Sequence, residues 1–386
     1  MKQVALIYDA KLPYDLKVIS GVARYIHETA DFIIYSQENA LENQKLPDLR
    51  SWGGDGIIAD FDDAKVAVAV LRAKLPVVGF GGGYGWFPSK SSIPYFFNDQ
   101  KKIGIMAADH LLERGFRHFG YCGPYPRETN LWSNERRRGF AARVLEHRFP
   151  CFKYASKYKT NRLWNAMLVS IGSWIQSLPK PVGIMAANDR QAYQVLEACA
   201  VYQFRVPEEV AVIGVDNDEG LCQLCNPELS SIEQDAKRIG YEAAALLDRM
   251  MRGQRIRKRR FIFPPIGVVT RRSTDVYAIE DELVSRAITF IRTNAMSGVT
   301  VSSIVKELGI SRSSLEAKFR TTTGYTVHTT IRRIQLEFAR RMLSETNLAV
   351  KEVAANTGFK SVQHMTSLFR KAFGQTPARY RKNTIA

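Results

Sequence analysis

Long apolar runs are missing from this 386-residue chain. No stretch approaches the roughly 20 apolar residues that span a bilayer, so no membrane partner is expected. Met1, Lys2 and Gln3 run straight into Val4 to Tyr8 and then Asp9, too short and too soon polar for a signal peptide. That start suits a cytoplasmic protein. Cysteine is scarce: five residues, at 122, 151, 199, 222 and 225, odd in number and irregular in spacing. A disulfide framework is thereby excluded. Cys222 and Cys225 form a lone CxxC with no second pair and no nearby histidine, which reads as thiols before it reads as a zinc or redox site. There are only six histidines, and His110, His328 and His364 fall on helices serving other purposes. No Ser-His-Asp order, Cys-His arrangement or metal-ligand spacing stands out. No catalytic residue, metal or cofactor is therefore expected, and the chain is not read as an enzyme. The run Gly81, Gly82, Gly83, Tyr84, Gly85, Trp86 lacks both the Lys-Ser/Thr of a phosphate loop and the tail of a dinucleotide fingerprint. It reads instead as a flexible loop at a cleft mouth.

Acidic residues are lacking from one end alone. Residues 1–251 hold 30 Lys+Arg against 29 Asp+Glu, whereas residues 252–386 hold 25 against 9. A neutral body with a basic end points to a polyanion for that end, or to a solvated basic surface. The composition, 45% hydrophobic and 24% charged, is that of a globular protein with two or three domains.

In the neutral part, apolar β-branched runs alternate with helical stretches, the pattern of parallel sheets with crossover helices. Strands are expected at 4–8, 32–35, 56–59, 77–79, 95–97, 118–121, 182–186 and 210–215. Helices are expected at 16–29, 101–114, 135–146, 190–201 and 236–252. Ile105, Ala108, Leu111 and Leu112 form the expected buried stripe of the second. Several strands end in acids or amides: Asp9, Asp60, Asn98 and Asp99, Asn188 and Asp189, Asp216 and Asn217. Strand ends line the ligand crevice of open parallel sheets, where such groups can bind sugar hydroxyls and a Trp or Tyr can stack on the ring. A single Asp after a strand is more often a helix cap. Five such ends, with Trp132 and Arg136 among them, favour a polar ligand pocket.

Ala187-Asn188-Asp189 with Ala192, the run Val212 to Asn217, the run Ser230 to Asp235, Asn98-Asp99 ahead of a helix, and Arg136 ahead of Gly139-Phe140 resemble the LacI/GalR-type sensor. That resemblance implies a periplasmic-binding-protein fold of two α/β lobes over residues 1–270, with crossings near 115–118, 233–236 and 253–258. It also implies ligand contacts at Asp99, Arg136, Asn188, Asp216 and Gln234, with Trp132 as stacking ring. Such regulators usually begin with a small DNA-binding domain; here DNA binding must come from elsewhere.

A basic run, Arg255, Arg257, Lys258, Arg259 and Arg260, precedes the apolar Phe261, Ile262 and Phe263. It reads as a solvated turn into the last strand, or else as a phosphate contact. Pro264 and Pro265 argue against a central strand. Residues 271–281 are expected to be linker and 282–386 a separate all-α domain.

That domain contains two helix-turn-helix units, near 300–322 and 348–373. Each has a short apolar helix, a glycine able to take the positive φ of a helix end (Gly309, Gly358) and a serine placed as a cap (Ser311, Ser361). Each second helix ends in Phe-Arg-x₃-Gly. Inward Leu315 and Phe319 leave Arg312, Ser313, Glu316 and Ala317 outside; inward Met365 and Phe369 leave Val362, Gln363, Thr366 and Ser367. These are positions that reach base edges. Gln363 can bond adenine, Arg312 guanine, and Val362 a thymine methyl. Arg320, Arg370 and Lys371 suit phosphates. Val327, Ile331, Ile334, Phe338 and Met342 mark a connecting helix of roughly 27 Å, which suits recognition helices one DNA turn apart, about 34 Å.

This end resembles the AraC-type DNA-binding domain throughout, most specifically in Phe373, Gly374, Gln375, Thr376, Pro377, Ala378, Arg379, Tyr380, Arg381. Ser313, Ala317 and Ser367 are smaller than is usual there, which shifts readout toward phosphates and DNA shape. The stretch Gly54 to Asp63, and Arg272-Ser273-Thr274-Asp275, further resemble regulators of D-xylose use. That resemblance adds Asp60 to the ligand set. It implies a homodimeric activator that binds D-xylose, or another aldose or polyol, then double-stranded promoter DNA, and recruits RNA polymerase. A sugar-processing enzyme tethered to DNA is the alternative from another class.

Overall fold

The computed structural model describes residues 1–29, 31–38, 52–62, 64–82, 93–126, 130–158, 163–276, 281–323 and 325–385. The chain divides into two compact units, 1–276 and 277–386. Residues 271–276, expected to open the linker, belong to the first. Ser273 and Thr274 are fully buried there, and Ser273 donates to the Val212 carbonyl at 2.6 Å.

The first unit begins β1 (Lys2–Tyr8), α1 (Pro13–Thr29), β2 (Phe32–Glu38), β3 (Gly56–Asp60), α2 (Ala64–Leu71), β4 (Val77–Phe80), β5 (Tyr95–Asn98) and α3 (Gln100–Leu112). It continues with β6 (His118–Gly123), α4 (Leu131–Glu146), β7 (Cys151–Ala155), α5 (Trp164–Gln176), β8 (Val182–Ala186), α6 (Asp189–Val201), β9 (Val210–Val215) and α7 (Glu219–Leu224). It ends with β10 (Ser230–Glu233), α8 (Ala236–Met251), β11 (Arg260–Phe263) and β12 (Gly267–Val269). Among the described residues these strands form two six-stranded sheets, ordered β11-β5-β4-β3-β1-β2 and β12-β10-β9-β8-β6-β7. Pairing is parallel except between β10 and β12, which run antiparallel at an edge. Central strands such as β9 are buried along their whole length, as strands covered by helices on both faces must be. Strands β7, β10 and β12 were not anticipated as strands; β7, Cys-Phe-Lys-Tyr-Ala, is a half-exposed edge with no apolar run.

Each sheet with its helices is a lobe. Helix α3 packs on α4 and against β8, β10 and β12 of the second lobe. The first crossing is therefore at 98–100. The expected 115–118 is only the turn, through Gly115 at φ 83°, that returns α3 into β6 of the same lobe. The second crossing is at 233–236 as expected. The third is at 263–267 and not at 253–258. Pro264 and Pro265 break the strand there, between β11 on the first sheet and β12 on the second. The basic residues Arg255, Arg257 and Lys258 are exposed and lead into β11, an edge strand. In α3 the buried stripe is Ile103, Ala107, Ala108 and Leu111; Ile105 and Leu112 are only half-buried.

Two helix pairs cross closely enough to require glycine. A Cβ on Gly104 of α3 would lie 2.0 Å from the Arg136 carbonyl oxygen, and one on Gly139 of α4 would lie 2.2 Å from that of Lys101. In the first lobe, Gly21 of α1 and Gly240 of α8 face the Lys237 and Val18 carbonyl oxygens at 1.9 and 1.8 Å. Each lobe is thus riveted at one backbone-to-backbone crossing, where any side chain would force the helices apart.

The second unit holds α9 (Glu282–Asn294), α10 (Val301–Leu308), α11 (Arg312–Thr323), α12 (Val327–Glu345), α13 (Val350–Asn356), α14 (Val362–Phe373) and α15 (Pro377–Ile385). It has two cores. Val327, Ile331 and Ile334 of α12 join Ile304, Leu315 and Phe319 in one. Leu336, Ala339 and Leu343 of the same helix join Val353, Met365 and Phe369 in the other.

Candidate effector cleft and DNA-reading face

The cleft is built where strands stop. In the first lobe, Pro13 opens α1 with the fixed φ a first helical residue needs, and sets Tyr14 and Asp15 beside the end of β3. Asp60, the last residue of β3, is 1% exposed. Its Oδ1 accepts the Asp62 N–H at 2.9 Å. Burial first, then Asp15 and Asp62, hold its carboxyl well above the usual carboxylate range. Two glycines let the opposite wall approach. Gly81, at φ 134°, leaves no room for a side chain beside Asp60 Oδ1, 2.6 Å from where its Cβ would be. A Cβ on Gly82 would lie 2.7 Å from Trp132 of the second lobe. The rest of the glycine run, 83–86, lies outside the described residues.

In the second lobe, Trp132 and Arg136 are one turn apart on α4, with the guanidinium 4.5 Å from the indole centroid. Arg136 is buried. It donates through Nε to Gln100 Oε1 at 2.6 Å and to the Ala187 carbonyl oxygen. Burial pulls its pKa down against the opposing charge of Asp216. Asp216 ends β9 in the left-handed region, φ 108°, and accepts a short hydrogen bond from Gln234 Nε2. Burial raises the Asp216 carboxyl, with Arg136 the foremost opposing influence. The structure thus brings together Asp60, Trp132, Arg136, Asp216 and Gln234.

Asp99 and Asn188 take the ordinary role open to a polar residue after a strand. Asp99 caps α3 by accepting the Lys102 N–H at 3.0 Å, and Asn188 caps α6 by accepting that of Gln191 at 2.9 Å. Their neighbours are the buried ones. Asn98, 0% exposed, donates to the Tyr14 hydroxyl at 3.2 Å. Asp189 accepts from Ser231 Oγ and, at 2.8 Å, from the Asp218 N–H. Burial and Asp216 push its carboxyl up to about 8. Among the described residues, Asp60 Oδ2, Asn98 Oδ1 and Gln234 Oε1 are buried oxygens that meet no hydrogen-bond donor. They stand at the end of β3 and at two lobe crossings. Buried acceptors in this state call for a partner rich in O–H groups.

Sequence reasoning missed Tyr14, Asp15, Asn98 as a pocket group, Gln100 and Lys17. Lys17 reaches from α1 to the second lobe, donating to the Asp216 and Asn217 carbonyl oxygens at 2.7 and 3.0 Å and pairing with Glu233 at 2.7 Å. Asn217 in turn bonds Glu233 and accepts from Arg271. Cys222 and Cys225 are buried thiols; burial pushes Cys225 up to about 12, and Cys222 donates to Asp189. Among the described residues no His, Cys, Asp and Glu group could hold a metal, and no helix is long and apolar enough to cross a membrane.

In the second unit, Gly309 and Gly358 take φ 65° and 74°. Ser311 and Ser361 accept the N–H groups of Ser314 and His364 at 3.1 and 3.2 Å. Leu315, Phe319, Met365 and Phe369 are fully buried. That rotation leaves Arg312, Ser313, Ala317 and Arg320 exposed on α11, with Glu316 half-buried. On α14, Gln363, Ser367 and Arg370 are exposed, while Thr366 and Val362 are half-buried and Val362 packs on the second core. Val362, Gln363, Thr366, Ser367, Arg370, Lys371 and Thr376 line one concave surface. Phe373 to Arg381 closes the second core: Pro377 opens α15, and Tyr380 meets Phe369 edge-on at 5.6 Å. The two halves are tied by Gln335, whose Nε2 donates to the Ala295 and Gly358 carbonyl oxygens at 3.4 and 3.2 Å. The second glycine of the Phe-Arg-x₃-Gly repeat, Gly374, ends α14 at φ 71°; the first, Gly324, lies outside the described residues.

Comparison with known proteins matches residues 3–101 to the XylR N-terminal domain, 108–274 to a periplasmic binding protein-like domain and 304–383 to a helix-turn-helix domain. The chain is 33% identical to the xylose operon regulatory protein of Escherichia coli K12, over 98% of this chain and 96% of that protein. It is 32% identical to the one from Haemophilus influenzae, over 99% and 98%. A solved structure of a xylose-binding transcription activator, xylR, superposes with a TM-score of 0.67 at 33% identity, covering 99% of this chain and 98% of that one. With a two-lobed sensor joined to a double helix-turn-helix reader along its whole length, the chain belongs to the family of the xylose operon regulatory proteins and is a sugar-responsive regulator of transcription.

Proposed function

We propose that this protein is a cytoplasmic, homodimeric activator of xylose-utilisation genes, which binds D-xylose in the cleft, occupies paired promoter sites and recruits RNA polymerase. The observation that carries the sugar reading is the set of buried acceptors, Asp60 Oδ2, Asn98 Oδ1 and Gln234 Oε1. A polyhydroxy ligand supplies O–H donors to all three. Trp132 offers an indole face to the sugar ring, Arg136 and Asp216 fix its orientation, and Asp99 and Asn188 border the site from the caps of α3 and α6. The relatives named above are described as xylose-binding or xylose-operon proteins, which supports D-xylose among the aldoses. Only a ligand that binds one lobe arrangement better than another can shift their balance, and a ligand gripped from both walls does so.

Calorimetry of the full chain with D-xylose, L-arabinose, D-ribose and xylitol tests this reading. Binding of D-xylose with no turnover is expected; binding of arabinose or ribose with silence toward xylose overturns the choice of effector, and consumption of the sugar overturns the regulator reading.

The reading face is proposed as Arg312, Ser313, Glu316 and Ala317 in one groove and Val362, Gln363, Thr366 and Ser367 in the next, with Arg320 and Arg370 on phosphates. The two faces differ, so each chain reads a directional half-site. In a binding-site selection, Gln363→Ala should relax preference at one base pair, worth about 1–3 kcal/mol of discrimination. Arg370→Ala should weaken all sites alike and lower the salt slope by about one. If neither change altered affinity or preference, α14 would not be a recognition helix.

A further inference from the structure

Two carboxyl groups on the first-lobe wall of the cleft, those of Asp15 and Asp60, are each 1% exposed. They come from different elements, the first turn of α1 and the last residue of β3. The two side chains are hydrogen-bonded to each other, and among the described residues no lysine or arginine pairs with either. Carboxylates are acceptors only, so a bond between two carboxyl groups contains a proton. Electrostatics requires the same, because adjacent buried like charges without a cation do not both ionise. The other contacts leave room for it. Asp15 Oδ2 accepts the Asp9 N–H and Asp60 Oδ1 that of Asp62, both at 2.9 Å, while Asp60 Oδ2 meets no donor.

The titratable groups facing the pair are acidic or phenolic. Asp9 follows β1, Tyr14 adjoins Asp15 on α1, and Asp62 follows β3. The Tyr95 hydroxyl, from β5, shares the corner at Gly81 with Asp60 and Asp62. From the second lobe, Asp216 acts on Tyr14, with Arg136 beyond it. Lys17, two residues along α1, sends its ammonium to the second lobe instead. Burial foremost, and then this company, raises both carboxyls far above their ordinary range. The folded state therefore keeps a proton that the unfolded chain releases, and stability falls as pH climbs from the ordinary carboxylate range toward the titration of the pair.

We propose that Asp15 and Asp60 hold one proton between them and that effector binding requires it, which makes Asp15 a specificity-determining residue of the cleft. This rests on the sugar reading above. A sugar hydroxyl both donates and accepts, so it fits against an acid–carboxylate pair that presents both functions. Two carboxylates would present acceptors alone and repel each other. Below the titration of the pair, binding moves no proton; above it, each binding event takes one proton from solvent.

Calorimetry of the full chain with D-xylose, from neutral to alkaline pH and in buffers of low and high ionisation enthalpy, tests this. Affinity should be flat near neutrality and then fall about tenfold per pH unit, with one proton taken up in the falling range. Asp15→Asn, which keeps a neutral donor in place, should bind D-xylose with a flat profile and no buffer dependence. A flat, buffer-independent wild-type profile overturns the proposal, as does an Asp15→Asn profile that follows the wild type. A wild-type chain that ignores D-xylose at every pH overturns the sugar reading instead. The shared proton is then judged by the infrared band of a protonated carboxyl, which should be present in the wild type and lost in Asp15→Asn and Asp60→Asn; its absence from the wild type overturns the pair.

Discussion

Replacing Gly358 by valine is expected to abolish specific DNA binding while D-xylose binding by the first unit survives. Gly358 has φ 74°, a conformation that a β-branched residue adopts only under strain of order 1–3 kcal/mol. Space is closed as well. A Cβ there would lie 2.5 Å from the Ala295 carbonyl oxygen and 2.7 Å from Gln335 Nε2. Those two atoms belong to the contact that ties the first helix-turn-helix to the second through α12. Valine must therefore push the halves apart or break the Gln335 bridge, and recognition helices displaced from one another no longer meet successive grooves. A loss of affinity beyond roughly a hundredfold follows, since strain and overpacking together reach about 3 kcal/mol. Fluorescence anisotropy with promoter DNA measures it, alongside calorimetry with D-xylose on the same preparation. Wild-type DNA affinity in Gly358→Val would show that the spacing of the two units does not depend on this contact.

The other large effect is expected at Arg136. Substitution by methionine keeps most of the side-chain volume but removes the donors to Gln100 and Ala187, the cation over Trp132, and the foremost charge opposing burial of Asp216. Leaving a buried charge without its partner costs about 3–5 kcal/mol. The first unit should melt at lower temperature and gain nothing from D-xylose. The wild type at a hundredfold excess of sugar over Kd should gain about 2.7 kcal/mol. Scanning calorimetry with and without sugar reads both. Should Arg136→Met still be stabilised by D-xylose to the wild-type extent, the arginine would be a strut of the second lobe and no part of the sugar site.

The sequence was most informative where local geometry decides the outcome. Gly309, Ser311, Gly358 and Ser361 were readable because a left-handed residue and a capping hydroxyl are demanded within one turn, whatever the tertiary surroundings. The strands at 182–186 and 210–215 were readable because both of their faces are buried. Two kinds of feature were less accessible. At Asn98-Asp99 and Asn188-Asp189 either neighbour can cap the following helix, and the backbone turn chose Asp99 and Asn188 as caps, placing Asn98 and Asp189 inside. Amphipathic spacing shows that α3 buries one face but not which sheet it lies on, so the first crossing was expected some 17 residues late. Asp15 gave no sign of its position, since an acid in the first turn of a helix is common for reasons of the helix dipole alone.

The glycine rivets bear on how the two lobes can move. Helix α3 starts at the first crossing and is pinned to α4 within its first two turns at Gly104; α8 starts at the second and is pinned to α1 at Gly240. Neither helix has slack near its pivot. Rotation of one lobe against the other is thereby confined to the three short crossings at 98–100, 233–236 and 263–267, and each lobe turns as a stiff lever whose short arm ends beside Asn98 and Gln234. Small changes in how those two amides are satisfied are then felt as angular displacement at the far ends of the lobes.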